Sequence, residues 1–346
     1  MTPVAPASLT AADVAAVPAA VLERLRTARC VLTVCHENPE ADALGSALAH
    51  SLLIEAMGGT STPVCVDAVP AMYGFMPGIE RFRRAPDPAL DYDLIVVGDC
   101  GDLERVGSGL LQEHAELFGR VPILDIDHHL SNEGFGAVDW IDASAAATCE
   151  MTTLLAVALG VPLTAADGAL AANLVAGVVI DTANFQHPNT TARTLRVASE
   201  LVAAGAPLFD TARRLYRTKP DRQLRLFGLV LARLEDSADG RLAWSTLFEA
   251  DRTATASGDG DAEGIIDLLS QSESAEVVVL FKEAGAQTRI SVRTREGGVD
   301  ATVLCGTFGG GGHARAAGAT IEAPVADARG QVLDVARRLI DGLARP

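Results

Sequence analysis

The chain has 346 residues, of which 49% are apolar, and its formal net charge is −17 at pH 7. That length is typical of two domains with separate cores, and a composition dominated by Ala, Val, Leu and Gly favours an α/β fold. The negative charge argues against a protein that binds long duplex nucleic acid, because phosphate neutralisation requires a dense Lys and Arg surface. It is compatible with a short polyanion held in a local pocket by divalent cations.

The cysteines and the first residues indicate a reducing compartment. Six cysteines are scattered without a C-x-x-C pair, and several lie in apolar runs, so we predict free thiols. Residues 1–20 lack the basic start and apolar stretch of a signal peptide, and no segment reaches the roughly 18 apolar residues of a membrane span. We therefore expect a cytoplasmic protein with no membrane partner.

The first half of the chain has the pattern of a parallel sheet. Residues 1–28 are rich in Ala and Pro, which predicts a loose lead-in with one short helix before ordered structure begins near Val31. Short β-branched segments then alternate with a helical pattern. We expect strands at 31–35, 63–67, 94–97 and 123–126, and a helix at 42–57. This alternation predicts parallel strands joined by crossover helices.

The second half predicts three helices, a linker and a smaller domain. Residues 148–204 have helical spacing with breaks at 160–162 and 187–189, and a basic helical segment at 208–234 is interrupted at Pro220. Strands at 242–247, 276–281 and 288–293, a glycine-rich run and a closing helix follow. We predict a lead-in at 1–28, a parallel-sheet domain at 29–205, a helical linker at 206–235 and a smaller α/β domain at 236–346.

Acidic residues and histidines follow the predicted strands where ligands of parallel sheets bind, beyond the carboxyl ends. Three strands end in such residues, and a further acid closes the apolar helical run at 174–180. These positions supply six candidate metal ligands, which are His36, Glu40, Asp42, Asp99, His128 and Asp181. A single Asp at such a position is commonly a helix cap. Convergence of several at one edge favours a metal site instead.

The ligand types indicate which metal the site holds. Carboxylate and imidazole without thiolate favour Mn²⁺, with Mg²⁺ or Co²⁺ as alternatives, over tetrahedral structural zinc. Six ligands are too many for one ion that must also bind water. The pattern therefore favours two ions that share a bridging carboxylate and a bridging hydroxide.

These motifs resemble those of the DHH phosphoesterase family. In order, the resemblance rests on the stretch 36–46, Asp99, Asp127-His128-His129 and Asp181-Thr182. The run from Gly310 to Gly318 is similar to the DHH-associated C-terminal domain of the exonuclease and nano-RNase branch. The likeness extends from about Val31 to the C-terminus. It departs from the family pattern at Glu40, where the family normally has Asp.

The resemblance implies a role for each site residue. His36, Glu40 and Asp99 would hold one Mn²⁺ ion. The second ion would be held by Asp42, Asp99, His128 and Asp181, with Asp99 bridging. Asp127 would orient an imidazole, and His129 would face the scissile phosphate and stabilise its developing charge.

The glycine-rich run predicts a clamp for phosphate or ribose. Glycines let backbone N–H groups approach an anion closely, and a histidine adds a directed donor. The predicted clamp consists of Gly310, Gly311, Gly312 and His313. Arg293 lies on the preceding strand, and the resemblance implies that it binds the terminal phosphate of the substrate.

The expected function is hydrolysis of phosphoester bonds in very short RNA or small adenine nucleotides. The candidate substrates are oligoribonucleotides of a few residues, 3′-phosphoadenosine 5′-phosphate, and cyclic di-AMP or its linear product pApA. One alternative is a nucleotide-binding regulator whose metal site is impaired at Glu40. Another is a RecJ-type single-strand exonuclease, which we expect to carry further domains and a basic groove. A homodimer is left open.

Overall fold

The computed structural model describes residues 8–342, which form two compact units that divide between Thr218 and Lys219. The division falls inside the predicted linker at 206–235. Residues 1–7 of the predicted lead-in lie outside the described residues. Among residues 8–342, no helix is both long enough and apolar enough to cross a membrane. The predicted α/β class is confirmed, with one sheet in each unit.

The N-terminal unit contains a five-stranded parallel sheet in the order β2-β1-β3-β4-β5. Its strands are β1 (Cys30–Val34), β2 (Thr60–Val64), β3 (Leu94–Gly98), β4 (Ile123–Asp127) and β5 (Val138–Ile141). Its helices are α1 (Ala11–Ala15), α2 (Ala19–Thr27), α3 (Ala41–Ala56), α4 (Ser108–Glu113), α5 (Ala115–Arg120), α6 (Thr148–Leu159), α7 (Ala169–Asp181), α8 (Ala192–Ala203) and α9 (Leu208–Tyr216). Short 3₁₀ turns lie at Ala71–Tyr73, Ile79–Arg81 and Leu103–Val106.

Both faces of this sheet are buried, which explains its nearly continuous apolar strands. Val31 and Leu94 pack on one face with residues of α3, α6 and α7. Leu32 and Ile95 pack on the other face with residues of α4. Because the strands are parallel, their carboxyl ends lie at the same edge of the sheet.

Helix α7 is apolar around nearly its whole circumference, and such helices are buried on all sides. It packs against α3, α6, α8 and α9. Its last residue is Asp181, whose pKa lies well above the usual range for a carboxyl group because the side chain is largely shielded from water and carboxylates lie nearby. A buried core helix therefore delivers one carboxylate to the edge of the sheet.

The structure differs from two sequence predictions in the N-terminal unit. Ordered structure begins before Val31, because residues 11–27 form α1 and α2. Helix α1 is fixed to α8 by Arg196, which donates to both carboxylate oxygens of Asp13 at 2.8 and 2.9 Å. The sequence also failed to predict β5, whose four residues give too short an alternation to read as a strand.

The C-terminal unit contains a six-stranded mixed sheet in the order β10-β11-β9-β8-β7-β6. Its strands are β6 (Glu235–Asp236), β7 (Leu242–Leu247), β8 (Val277–Ala284), β9 (Gln287–Thr294), β10 (Gly311–His313) and β11 (Ala316–Ile321). Its helices are α10 (Asp221–Leu231), α11 (Glu249–Thr255), α12 (Ile265–Leu269), α13 (Ala301–Gly306) and α14 (Val325–Gly342), with a 3₁₀ turn at Asp259–Ala262. Apolar residues of α13 and α14 cover one face, and those of α10 and α12 cover part of the other.

The glycine-rich run forms an antiparallel hairpin instead of the open loop that the sequence predicted. Strands β10 and β11 pair with Gly311 opposite Gly318 and His313 opposite Ala316. A Cβ atom on Gly312 would lie 2.6 Å from the carbonyl oxygen of Ala316, and the φ angle of Gly312 is +143°. Glycine is therefore required here by close pairing of two strands, a reason that is independent of any ligand.

Replacing Gly312 and Gly311 one at a time should show whether glycine at position 312 is required by the close pairing of β10 and β11. We expect Gly312→Ala to lower the free energy of unfolding of the C-terminal unit by about 2–4 kcal/mol, because the added methyl meets backbone atoms at a positive φ. Gly311→Ala is the matched control, since a Cβ there meets no atom within 4 Å. Urea denaturation followed by circular dichroism measures both variants. Equal free energies of unfolding for the two variants would contradict the close strand pairing in this hairpin.

Candidate metal centre

The fold brings all six predicted metal ligands to one edge of the N-terminal sheet. His36 follows β1, Asp99 follows β3, and His128 follows β4. The first turn of α3 contributes Glu40 and Asp42, and the end of α7 contributes Asp181. Their ligand atoms form two groups, His36–Glu40–Asp99 and Asp42–Asp99–His128–Asp181, and within each group the atoms lie within 4.8 Å of one another.

Asp99 lies at the centre of the cluster and belongs to both groups. One of its oxygens is 3.7 Å from Nε2 of His36, and the other is 3.4 Å from Nε2 of His128. The Asp99 backbone has a φ of +58°, a left-handed conformation that is uncommon for residues other than glycine. Asp99 directly follows the last residue of β3, so this backbone conformation occurs where the strand ends.

Backbone carbonyls orient both histidines. Nδ1 of His36 lies 2.6 Å from the carbonyl oxygen of Glu37, and Nδ1 of His128 lies 3.4 Å from that of Ala145. A carbonyl only accepts, so each Nδ1 carries the hydrogen. Each Nε2 atom therefore points at the carboxylates, as in histidines that bind a metal.

The electrostatics of the cluster indicate a site that requires a cation. Burial raises the pKa of Asp42, and the neighbouring Asp99 carboxylate raises it further, to about 7. Burial alone would lower the pKa of His36, but the neighbouring carboxylates of Asp99 and Glu40 raise it to about 10. Carboxylates this close repel one another unless a positive charge lies between them.

These donors fit the divalent ions that the sequence predicted. Carboxylate oxygens and imidazole nitrogens converge without a thiolate, and two groups share the Asp99 carboxylate. The surplus of buried negative charge is what a divalent cation would neutralise.

Sequence reasoning missed the residues that hold Asp42 in place. The backbone N–H groups of Thr148 and Cys149, at the start of α6, donate to the two Asp42 oxygens at 2.6 and 2.9 Å. The Thr148 hydroxyl also donates to Asp99 at 3.2 Å. A Cβ atom on Gly177 would lie 2.3 Å from Asp42, so α7 needs glycine at this position. The only sequence signal for these contacts was a helix predicted to start at residue 148.

A second set of hydrogen bonds orients His129. Its Nδ1 lies 2.8 Å from Asp127, a buried carboxylate that also accepts from the backbone N–H of His128. The side-chain amide of Asn132 donates to Asp127 at 2.9 Å, a contact that the sequence did not reveal. The hydrogen bond to Asp127 raises the pKa of His129. The His129 side chain is 36% exposed, so it is accessible to a substrate.

Glu40 has two contacts, one with each carboxylate oxygen. Oε1 accepts from the backbone N–H of Ala43 at 2.8 Å and caps α3, while Oε2 lies 3.1 Å from Nε2 of His36. The glutamate therefore keeps one oxygen for the metal cluster while the other stabilises the helix N-terminus.

The predicted substrate-binding residues of the C-terminal unit lie along one face and one edge of its sheet. Arg293, on β9, pairs with Asp267 of α12 at 3.0 Å. His313 is exposed on the edge strand β10, and Gly310 precedes that strand. Gly311 and Gly312 lie within β10 itself.

Known families match both units. The DHH family N-terminal domain matches residues 30–178, and the DHHA1 domain matches residues 254–342. The bifunctional oligoribonuclease and PAP phosphatase NrnA of Thermus thermophilus is 32% identical over 287 residues, which cover 83% of this chain and 82% of that protein. The chain belongs to the DHH family. As a DHH protein, it is a metal-dependent hydrolase of phosphoester bonds.

One more relative and one solved structure are also similar to this DHH protein. A Bacillus subtilis protein with the same name, NrnA, is 28% identical over 290 residues, covering 83% of this chain and 87% of that protein. The crystal structure of an exopolyphosphatase-related protein from Bacteroides fragilis superposes with a TM-score of 0.79 at 22% identity, covering 96% of this chain and 98% of that one. At that identity, the likeness shows a shared fold.

The two contacts of Glu40 can be tested separately in this DHH protein. We expect Glu40→Gln to keep the helix cap and to lower Mn²⁺ affinity at least about tenfold, because it removes a charge from the cluster. Glu40→Ala should lose the cap as well, which costs a further roughly 1 kcal/mol of stability. Calorimetric Mn²⁺ titration and thermal unfolding of the metal-free variants measure the two effects. Unchanged Mn²⁺ affinity in Glu40→Gln would show that position 40 is not a ligand.

Behind the cluster, a buried histidine completes a chain of hydrogen bonds. Nε2 of His50 lies 3.1 Å from the Thr152 hydroxyl, which itself donates to the Thr148 carbonyl at 3.0 Å. Nε2 must therefore donate, which leaves Nδ1 buried and without a partner among the described residues. Burial lowers the pKa of His50 to about 3, so the folded protein keeps it neutral.

This neutral histidine should make stability depend on pH. Unfolded His50 takes up a proton as the pH falls below about 6.5, whereas folded His50 does not, so stability is lost as the pH falls. Between pH 7.5 and 5, we expect the wild type to lose about 2 kcal/mol more than His50→Gln. Urea denaturation in EDTA at each pH measures the difference. If the free energy of unfolding of the wild type and of His50→Gln falls equally with pH, His50 is protonated in the folded state as well.

Proposed function

We propose that this DHH protein uses Mn²⁺ to hydrolyse phosphoester bonds in short oligoribonucleotides and small adenine nucleotides. The small nucleotides include 3′-phosphoadenosine 5′-phosphate, cyclic di-AMP and pApA. The observation that carries the proposal is the position of Asp99, shared by two groups of ligand atoms. The names of the relatives, oligoribonuclease and PAP phosphatase, support the substrate class.

Each group of ligand atoms would hold one ion. We assign His36, Glu40 and Asp99 to the first ion, and Asp42, Asp99, His128 and Asp181 to the second. Mixed carboxylate and imidazole donors support Mn²⁺, with Mg²⁺ or Co²⁺ as substitutes. When bound, such ions lower the pKa of water and neutralise phosphate oxygens.

His129 is the protein group that we assign to the transition state. Its hydrogen bond to Asp127 favours the imidazolium form and fixes the ring, while its exposed edge remains free for a substrate. A positively charged donor in a fixed position stabilises the charge that develops on a phosphate oxygen. Asp127 and Asn132 act through His129 by holding its ring in place.

Substrate recognition is assigned to the C-terminal unit. Arg293 is 31% exposed, and its pairing with an exposed Asp267 leaves it available to an anion. His313 and the hairpin glycines 310–312 lie at the adjoining edge of the sheet, where backbone N–H groups and an imidazole are accessible. These features support a clamp for a nucleotide.

The alternative function, a nucleotide-binding regulator, is less well supported than phosphoester hydrolysis. It requires an impaired metal site at Glu40, yet that residue keeps one oxygen 3.1 Å from His36. The charge that the site needs is therefore retained.

A substrate panel with matched variants tests the proposed function. After EDTA treatment, we expect no turnover, and we expect Mn²⁺ to restore hydrolysis of a triribonucleotide, pApA and 3′-phosphoadenosine 5′-phosphate better than Mg²⁺. Asp99→Asn should lower kcat/KM by on the order of a thousandfold. Asp102→Asn is the control, because Asp102 only caps a 3₁₀ turn through Glu104 at 2.9 Å, and Asn caps equally well.

Two results would contradict this assignment. Turnover that survives complete chelation would exclude metal-dependent hydrolysis. Preference for a 20-residue RNA over the triribonucleotide would point to a RecJ-type exonuclease instead.

A further inference from the structure

The segment that follows α7 folds back onto the carboxyl end of that helix. Residues 183–185 have φ angles of 46°, 60° and 64°, which are left-handed conformations at three consecutive positions without a glycine. The Thr182 hydroxyl accepts from the backbone N–H of Phe185 at 2.9 Å, and the Thr182 carbonyl accepts from that of His187, also at 2.9 Å. Such backbone costs free energy and is found most often at functional sites. This turn brings His187 back beside Asp181.

Two side chains beyond the turn are fixed to one backbone oxygen. Nδ1 of His187 lies 3.3 Å from the carbonyl oxygen of Asp181, and the side-chain amide of Asn189 donates to the same oxygen at 3.2 Å. The Asn189 amide also donates to the carbonyl of Ala146, before α6, at 3.1 Å. His187 and Asn189 are both exposed. They are therefore anchored to the backbone of a residue whose carboxylate belongs to the metal cluster.

These anchoring contacts determine what each side chain offers to a ligand. A carbonyl oxygen only accepts, so the amide nitrogen of Asn189 faces the protein and its Oδ1 atom is left as an acceptor. For the same reason Nδ1 of His187 carries the hydrogen, which makes Nε2 of the neutral ring an acceptor. Within residues 8–342, neither Oδ1 nor Nε2 has a hydrogen bond. Two neighbouring, exposed side chains therefore each offer an unused acceptor.

A pair of acceptors beside this cluster favours a hydroxyl group and disfavours a phosphate. Phosphate oxygens are themselves acceptors, so they would face lone pairs on both side chains. Hydroxyl groups can donate to both. In a nucleotide, the donors next to the phosphate are the ribose hydroxyls, whereas the amino group of adenine lies at the far end of the nucleoside. The chemistry of the pair therefore matches a ribose.

We propose that His187 and Asn189 form a ribose site, which accepts hydrogen bonds from hydroxyl groups of the nucleotide next to the scissile phosphate. The inference rests on the proposed function and deepens it, because it assigns discrimination between RNA and DNA to the N-terminal unit. The scissile phosphate stays with the metal cluster and His129. The ribose is covalently attached to that phosphate, so the two groups occupy neighbouring positions. A 2′-deoxyribose lacks one of the donors.

A nuclear magnetic resonance titration of the metal-free protein at pH 8, where an exposed imidazole is neutral, tests the site without hydrolysis. The probes are adenosine and 2′-deoxyadenosine, which carry no phosphate for the carboxylates to repel. We expect adenosine to shift the imidazole signal of His187, which is identified by its loss in His187→Phe. Adenosine should bind about fivefold more tightly than 2′-deoxyadenosine, because the latter lacks one hydrogen bond. Followed through backbone amide signals, this preference should fall below about twofold in His187→Phe and in Asn189→Leu.

Two further variants are matched controls. Gln can donate to the Asp181 carbonyl and accept from a hydroxyl, so His187→Gln should keep most of the preference. His114 lies between α4 and α5, on the opposite face of the sheet from α7, so His114→Phe should leave the preference unchanged. A purely structural effect would weaken both nucleosides alike. The ratio of the two affinities therefore separates ribose binding from a structural role.

The proposal is wrong if adenosine leaves the His187 signal unchanged, if the wild type binds both nucleosides equally, or if His187→Phe and Asn189→Leu weaken both equally. Turnover of pApA and of its deoxyribose counterpart pdApdA with Mn²⁺ is measured in parallel. Absence of turnover with the adenosine preference intact would count against the proposed function alone. Equal kcat/KM for the two dinucleotides would count against the ribose site alone.

Discussion

The N-terminal unit is organised around the repulsion between carboxylates held at one edge of a sheet. Asp42 and Asp99 are buried, and Asp181 lies beside them at the end of a core helix. Isolated charges in such a place would cost several kcal/mol each, so the fold must supply compensating groups. Two histidines and the N-terminus of α6 supply part of that compensation. The remaining negative charge is what makes the site suited to divalent cations.

Two carboxylates, those of Glu40 and Asp42, contact both a helix N-terminus and the other candidate metal ligands. Glu40 caps α3 with one oxygen and faces His36 with the other, and Asp42 accepts both of its hydrogen bonds from the first turn of α6. Helix N-termini favour negative charge. The same hydrogen bonds therefore stabilise a helix N-terminus and position a carboxylate. We therefore expect a change at either residue to alter stability and metal affinity together unless the substitution keeps the cap.

The sequence by itself determined the parallel sheet, the three helices after residue 148 and the residues at the strand ends. Local periodicity and strand direction suffice for these, because parallel strands bring their carboxyl ends to one edge whatever the loops do. Only the tertiary structure decided how Asp42 meets Thr148, 106 residues away, or that His50 stays neutral behind the cluster. It also decided that Gly310–Gly318 is a hairpin, since glycine permits both a loop and a closely paired strand. Contacts between distant segments and burial have no local signature, so no pattern in the chain could reveal them.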